Sequence, residues 1–350
     1  MHWLANTYQF SAYSRTVIGD LAYGESFDCL RDQKSDPWMN SLFNAVKIVP
    51  YIQCLMYYRL LWILKYIVPK KMQDARRVTQ QRQQAKLSRR LARGTDKQRN
   101  DFLSYILRYN DRTKCEEGSN RALTSGEIFT NASLLILAGS ETTATLLSGL
   151  TYHLLRNQTA YKKLIHEIRS TFRTSKDITL QSTQALPYLS AVLEEALRIY
   201  PPAPSAFPRV VPPGPGELID GQHVPAGTTV GVHQAAAYHS SRNFHAPCEF
   251  HPVRWMPEEL QRPDSVFRDD RREVVNAFSV GPRNCIGRGL AYAEMRLVLV
   301  RVLWEFDLEL VEEEEGDGEG KGLGEWQERQ RVFLIWEKRP LMVRLRPVVR

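Results

Sequence analysis

The stretch that most limits the fold of this chain spans residues 278–287, which read Phe-Ser-Val-Gly-Pro-Arg-Asn-Cys-Ile-Gly. Gly281 and Pro282 predict a tight turn at its centre, because glycine and proline favour the backbone angles that turns need. An apolar run that starts at Leu290 predicts a helix just beyond the turn. The sulfur of Cys285 is therefore expected on a stiff loop at a helix N-terminus.

The expected surroundings of Cys285 favour a thiolate. The unpaired amides and the dipole of a helix N-terminus stabilise an anion, and Arg283 adds a cation two residues away. Gly287 has no side chain, so that a broad, flat group such as an iron porphyrin can approach the backbone beside the sulfur. A lone buried cysteine is the alternative that these residues leave open.

Five positions of this stretch resemble the haem-binding signature of the cytochromes P450. They are Phe278, Gly281, Arg283, Cys285 and Gly287. The chain as a whole is similar to fungal microsomal members of that family, of the isotrichodermin C-15 hydroxylase-like type. The resemblance implies haem b, iron protoporphyrin IX, as cofactor and Cys285 as the axial ligand of its iron. It also implies that Phe278, Arg283 and Gly287 contact the cofactor. Arg209, which follows a double proline, would lie near a haem propionate.

A second motif lies in the middle of a long helix predicted over residues 124–156, which begins with a capping-box sequence. Residues 138–143 read Ala-Gly-Ser-Glu-Thr-Thr. A local widening or kink is expected there, because serine and threonine hydroxyls compete for backbone carbonyls. The segment resembles the oxygen-activation signature of the same family, which implies Glu141 and Thr142 as catalytic proton donors. A helix crossing at small residues is the structural alternative.

A third motif lies on a helix predicted over residues 186–200, which stops at a double proline. Glu195 and Arg198 fall on one face of this helix, three residues apart, and this spacing predicts an ion pair. The pair resembles the family's Glu-x-x-Arg motif, whose members join an arginine from a later segment, here Arg254. The resemblance implies that the three residues have a structural role and hold the cysteine loop in place.

The expected fold is mainly α with a small β region, as one cytochrome P450 domain over residues 1–350. Short strands are predicted within residues 217–232, with a hairpin turn at Asp220 and Gly221. The resemblance covers essentially the whole chain. Residues 19–25 resemble a stretch around the fifth long helix of fungal members, which implies that the N-terminal third of the family's fold is missing. The predicted segments are distal helices over 1–24 and 36–93, the helices over 124–156 and 186–200, the haem-thiolate loop and helix over 278–306, and strands over 307–350.

Charge and composition restrict the partners. The net charge of +8 suits acidic partners, anionic lipid or nucleic acid, and 43% hydrophobic residues are enough for a large core. Residues 70–93 are strongly basic and predict an exposed helix, and nucleic-acid binding is not expected because aromatic residues are absent among these cations. Residues 312–324 predict an acidic, glycine-rich loop.

Residues 51–68 are apolar enough to raise the question of a membrane span. Arg59 and Lys65 are costly at the bilayer centre, so either an amphipathic helix at the membrane interface or a core helix pair with exposed cations is expected. Neither a zinc site nor a disulfide framework is indicated, because the cysteines are scattered without Cys-x-x-Cys pairs. They are Cys29, Cys54, Cys115, Cys248 and Cys285.

The resemblance implies a haem-dependent monooxygenase that uses dioxygen to hydroxylate a hydrophobic small molecule, such as a fungal secondary metabolite. Electrons would come from NADPH-cytochrome P450 reductase. The family works at the cytoplasmic face of the endoplasmic reticulum membrane, although this sequence shows no anchor, which leaves a cytoplasmic or peripheral location open. Two alternatives remain: a non-enzymatic truncated remnant or incomplete gene model that binds haem poorly or without turnover, and a haem-thiolate isomerase or dehydratase that uses no dioxygen.

Overall fold

The structure is a computed structural model of the 350-residue chain. It describes residues 3–6, 8–24, 29–32, 37–63, 81, 84–85, 87–92, 101–114, 122–311 and 326–350. The chain divides into two compact units. The N-terminal unit comprises Thr7–Ala144, and the C-terminal unit comprises Met1–Asn6 with Thr145–Arg350. The described residues are mainly α-helical with a small β region, as the sequence predicts.

The N-terminal unit is helical. Its described helices include α1 (Tyr8–Tyr23), α2 (Cys29–Asp32), α3 (Pro37–Tyr57), α4 (Phe102–Lys114) and the first part of α5 (Ser125–Arg156), and residues 87–92 are also helical. Helix α1 approaches α5 closely at Gly139, where an added Cβ would lie 2.7 Å from Cδ1 of Ile18. The side chain of Glu127 accepts a hydrogen bond from the backbone N–H of Thr124 at 2.8 Å, which forms the predicted capping box of α5.

Three predictions for the N-terminal part of the chain need correction. The helix does not start at Met1, because Trp3–Asn6 form a strand and α1 begins only at Tyr8. The single interfacial helix expected over 51–68 is interrupted, since α3 ends at Tyr57 and a separate 3-10 turn follows at Leu61–Ile63. Residues 64–68 lie outside the described residues. Most of the basic segment 70–93 also lies outside them. Its Arg90 is buried instead of exposed, because it pairs with Asp101 at 2.9 Å.

The described residues of the C-terminal unit form five further helices. They are α6 (Gln158–Thr171), α7 (Pro187–Ile199), α8 (Gln234–Tyr238), α9 (Pro257–Gln261) and α10 (Arg288–Glu305). A carboxylate of α6 caps the N-terminus of α7: Glu167 accepts hydrogen bonds from the backbone N–H groups of Tyr188 and Leu189, both at 2.8 Å. This contact stabilises the helix start, where backbone donors have no partner within the helix. It thereby fixes α7, which carries two of the predicted site residues.

The described residues of the C-terminal unit also form four small antiparallel sheets. Their strands are β1 (Trp3–Asn6), β2 (Arg209–Val210), β3 (Glu217–Ile219), β4 (Gln222–Val224), β5 (Thr229–Val230), β6 (Phe306–Leu310), β7 (Arg331–Val332), β8 (Trp336–Glu337) and β9 (Met342–Pro347). Strand β9 lies between β1 and β6, and the other sheets are the pairs β2–β5, β3–β4 and β7–β8. Asp220 and Gly221 have φ of 48° and 75°, as the predicted hairpin turn between β3 and β4 requires. The predicted acidic loop, 312–324, lies outside the described residues.

Among the described helices, α5 is long and apolar enough to cross a membrane. Its most apolar 18-residue window has a mean hydropathy of 1.2, and 61% of that window is buried inside the protein. Burial of this extent is typical of a helix in a protein core.

Candidate functional site

The cysteine loop, residues 278–287, is closed by one backbone hydrogen bond. The N–H of Cys285 donates to the carbonyl of Phe278 at 2.8 Å, and Gly281–Arg283 form a 3-10 turn between them. Ser279 adopts a φ of 60°, a left-handed conformation that costs a non-glycine residue about 1–3 kcal/mol. The loop ends at Gly287, which is the N-cap of α10. The predicted stiff turn before a helix is therefore present.

The sulfur of Cys285 lies at the surface of the C-terminal unit. Cys285 is exposed, and so are the neighbouring apolar side chains of Val280 and Ile286, the latter to 93%. A Cβ added at Gly287 would lie 3.8 Å from the sulfur, which is an ordinary van der Waals contact. Glycine at this position therefore keeps the space beside the sulfur open.

The other predicted cations lie in different parts of this unit. Arg283 is exposed on the 3-10 turn of the cysteine loop, two residues before the sulfur. Arg209 is exposed on β2, which pairs with β5 and not with the cysteine loop. Its guanidinium donates a long hydrogen bond of 3.3 Å to the carbonyl of Pro208.

Glu195 is the centre of a buried polar network on α7. Arg198 donates to both of its carboxylate oxygens, at 2.8 and 2.9 Å. Arg254 adds a bond of 3.2 Å from Nε, and Trp255 adds one of 2.9 Å from its indole N–H. The backbone N–H of His251 donates at 2.8 Å. The carboxylate thus accepts five hydrogen bonds, and two of its donors are fully buried arginines.

The two arginines of this network also bind the backbone of residues 238–249. Arg198 donates to the carbonyls of Tyr238, Pro247 and Glu249 at distances between 2.6 and 3.0 Å. The guanidinium of Arg254 pairs with Asp270, a residue that sequence reasoning missed. Since Asp270 also accepts the backbone N–H of His245 at 2.6 Å, the network fixes several loops of the C-terminal unit.

Glu141 and Thr142 lie on α5 in the N-terminal unit. The carboxylate of Glu141 is 3.6 Å from the guanidinium of Arg15 on α1, and both side chains are largely buried. The hydroxyl of Thr142 donates to the carbonyl of Ala138 at 2.6 Å, and that of Ser140 makes the corresponding bond to residue 136 at 2.6 Å. Helix α5 is α-helical at every residue of this segment, without the widening that was expected.

Two titratable side chains of α10 were not predicted as part of the site. Burial raises the pKa of Glu294 to about 7. Burial and the nearby carboxylate of Glu194 also raise the pKa of Tyr292, whose hydroxyl donates to Glu194 at 2.6 Å. Tyr292 lies seven residues beyond Cys285, on the second turn of α10, and this nearness in sequence is a signal that could have drawn attention to it.

Comparisons with known proteins agree with one another. A family model described as Cytochrome P450 matches residues 6–323. Averantin hydroxylase of Dothistroma septosporum is 44% identical over 331 residues, which are 95% of this chain and 59% of that protein. Trichothecene C-4 hydroxylase of Trichoderma arundinaceum is 42% identical over 340 residues, 97% of this chain and 64% of that protein. The chain thus spans about three-fifths of the length of these curated relatives.

A solved structure shows the same fold. The crystal structure of cytochrome P450DA heme domain superimposes with a TM-score of 0.75 and covers 98% of this chain and 68% of the other, at 19% sequence identity. The family model extends over far more than half of the residues and includes the cysteine loop, α5 and the Glu195 network. The chain therefore belongs to the cytochrome P450 family.

Proposed function

We propose that this chain is the haem-binding part of a monooxygenase that hydroxylates a hydrophobic small molecule. The observation that carries the proposal is the sulfur of Cys285, exposed on a closed loop at the N-terminus of α10 in a chain of this family. Two of its relatives are named as hydroxylases of averantin and of trichothecenes. A fungal secondary metabolite is accordingly the substrate class that we assign.

The cysteine loop fits a haem group in its chemistry. The soft sulfur of Cys285 is flanked by the exposed apolar side chains of Val280 and Ile286, and a porphyrin is a large apolar surface whose iron accepts a thiolate ligand. Within the described ranges, no group of three or more His, Cys, Asp or Glu side chains could hold a metal ion. A single thiolate suits a metal whose other ligands belong to a macrocycle.

We assign the roles in haem binding as follows from the family motif. Cys285 would supply the thiolate ligand of the iron, Gly287 would leave room for the ring, and Phe278 would contact the cofactor. Arg283 and Arg209 are exposed cations that can pair with the propionates of haem b. When bound, haem supplies the activation of dioxygen for insertion of one oxygen atom into a C–H bond.

The role of α5 in this proposal is proton delivery. The hydroxyl of Thr142 donates to the carbonyl of Ala138, so that its oxygen can accept a further hydrogen bond. The carboxylate of Glu141 can take up and release a proton, and its ion pair with Arg15 holds it on the α1 side of the helix. Glu141 and Thr142 are accordingly the catalytic residues.

Glu195, Arg198 and Arg254 have a structural role, because their polar atoms are turned to one another and to backbone carbonyls. We propose that residues 1–350 form one domain of this family. Electrons come from NADPH-cytochrome P450 reductase, and the chain works at the cytoplasmic face of the endoplasmic reticulum.

Exposed aromatic residues at the end of α3 support peripheral contact with that membrane. Tyr57, Tyr58 and Trp62 are more than half exposed, and Arg59 lies among them. Aromatic and basic side chains together favour the membrane–water interface. Co-sedimentation with vesicles that contain anionic lipid should fall on replacement of Trp62 by serine, and unchanged sedimentation would contradict this contact.

The carbon monoxide difference spectrum of the reduced protein tests haem ligation by Cys285. The full chain is reconstituted with haemin, and the same measurement is made on Cys285→Ser and on Cys248→Ser. Cys248 is a matched control because it is also exposed in the C-terminal unit. We expect the thiolate-type Soret band in the parent chain and the control, and its loss in Cys285→Ser. A band that persists in Cys285→Ser would overturn the proposal.

Oxygen-18 gas tests the reaction type. Label in the product of a candidate substrate supports monooxygenation. Unlabelled product from an active preparation would instead indicate a haem-thiolate isomerase or dehydratase.

A further inference from the structure

Tyr292 connects the cysteine loop to the rest of the C-terminal unit. It lies on α10, and its ring packs against the ring of Phe278, with centroids 5.2 Å apart and planes inclined by 37°. The carbonyl of the same Phe278 accepts the backbone N–H of Cys285 at 2.8 Å. The position of Phe278 therefore affects the loop through both its side chain and its backbone, and Tyr292 is the side chain that supports it.

Tyr292 is in turn held by α7. Its hydroxyl donates to Oε1 of Glu194 at 2.6 Å, in a part-buried contact between two helices. Glu194 is followed on α7 by Glu195, whose carboxylate is fixed by five hydrogen bonds in the buried network. Successive residues of a helix point about 100° apart. Glu194 and Glu195 therefore hold two different neighbours, α10 on one side and the loops of the network on the other.

Two cations surround the ring of Tyr292. The guanidinium of Arg296 lies 5.0 Å from its centroid, and that of Arg288 lies 5.9 Å from it and 5.8 Å from the centroid of Phe278. Cation–π contacts of this kind keep both rings in place. Burial and the charge of Glu194 raise the pKa of Tyr292, so that its hydroxyl remains a donor throughout the neutral range.

We propose that the hydrogen bond from Tyr292 to Glu194 positions Phe278 and thereby holds the sulfur of Cys285 in one orientation. Tyr292 is a positioning residue, because it acts on the sulfur through Phe278. Without the hydroxyl, the ring of Tyr292 loses its tie to α7, and the hydrogen bond between Cys285 and Phe278 opens more often. The part of this proposal that concerns the sulfur as an iron ligand rests on the proposed function. The part that concerns the position of the loop does not.

Hydrogen–deuterium exchange of the full chain without haem tests the effect on the loop. Tyr292→Phe removes the hydroxyl and keeps the ring, and Glu194→Gln keeps an oxygen that can accept the bond. Tyr161→Phe is the matched control, because its buried hydroxyl also makes a 2.6 Å hydrogen bond, to the backbone N–H of Leu308. We expect exchange in peptides that contain Cys285 to be roughly tenfold faster in Tyr292→Phe, and within about threefold of the parent in the other two.

Glu194→Ala is a second variant in case Tyr292→Phe does not fold, since it removes the acceptor and leaves the ring in place. Glu194→Ala should likewise speed up hydrogen–deuterium exchange in the peptides that contain Cys285. Equal exchange in Tyr292→Phe, Glu194→Ala and the Tyr161→Phe control would overturn the proposal.

The effect of Tyr292 on thiolate ligation by Cys285 is measured on the chain reconstituted with haem. The reduced carbonyl complex of Tyr292→Phe should lose its thiolate-type Soret band roughly tenfold faster than that of Tyr161→Phe. Equal rates would overturn the part of the proposal that concerns the sulfur. If the parent chain shows no thiolate-type band, the proposed function fails, and the exchange measurement alone still decides whether Tyr292 positions the loop.

Discussion

Replacing Glu195 with alanine should cause a large loss of stability. The carboxylate is fully buried and accepts five hydrogen bonds, two of them from Arg198 and one from Arg254. The substitution leaves both guanidinium groups inside the protein without this acceptor, and Arg198 then has only backbone carbonyls as partners. Arg254 keeps its ion pair with Asp270. The buried charge of Arg198, which loses its counter-ion, is therefore the main reason for the expected loss.

The size of the stability loss in Glu195→Ala follows from the burial of the carboxylate and from the number of its hydrogen-bond donors. Removing one partner of a buried ion pair costs about 3–5 kcal/mol, and the indole N–H of Trp255 also loses its acceptor. These contributions are not additive, so we expect at least about 4 kcal/mol in total. With an m-value of about 3 kcal/mol/M, the urea midpoint should fall by more than about 1 M.

Urea unfolding followed by tryptophan fluorescence and circular dichroism measures this shift. The matched control is Glu309→Ala, because Glu309 also pairs with two arginines, Arg344 and Arg346, but at the surface of the same unit. Exposed pairs contribute about 0–1 kcal/mol, so that the control should change the midpoint by less than about 0.3 M. If Glu195→Ala and Glu309→Ala have the same midpoint, the reasoning from burial is refuted.

Two further predictions concern α5 and α10. Gly149→Ala should destabilise the chain by about 1–3 kcal/mol in urea unfolding, because the new Cβ would lie 2.1 Å from Cδ1 of Tyr200. Gly126→Ala is the control on the same helix. Its new Cβ meets nothing within 4 Å, so that this substitution should be neutral or stabilising. Burial raises the pKa of Glu294 from 4.5 to about 7, so its contribution to stability is complete below about pH 4.5 and is lost as the pH rises through 7. Glu294→Gln should therefore match the parent near pH 4.5 and exceed its stability by about 3 kcal/mol at pH 8, and a difference in urea midpoint that does not change with pH would contradict this.

The parts of the site that depend on local spacing could be predicted from the sequence. The contact between Glu195 and Arg198 follows from their separation by three residues on a helix, and the closed turn before Cys285 follows from its glycine and proline. Asp270 could not be found in this way. Its contact with Arg254 depends on the paths of two loops, which tertiary packing determines.

Other differences arise because a local pattern has more than one physical outcome. The glycine and hydroxyl residues of 138–143 predict a local widening or kink of α5. The widening is absent, because hydroxyl groups can also donate to the carbonyl four residues earlier while the helix continues, as Ser140 and Thr142 do here. Arg90 belongs to a basic segment that indicates an exposed face. Its burial depends on Asp101, which lies beyond that segment and offers a carboxylate at 2.9 Å.

The sheet in which β9 lies between β1 and β6 has a consequence for synthesis on the ribosome. Leu4 pairs with Arg344, so that Trp3–Asn6 leave the exit tunnel long before their partner strand is translated. At about 5–20 residues per second, the delay is on the order of 20–70 s. During this time the nascent strand has no partner in the native sheet, so its backbone N–H and C=O groups there bond to water until β9 has been synthesised.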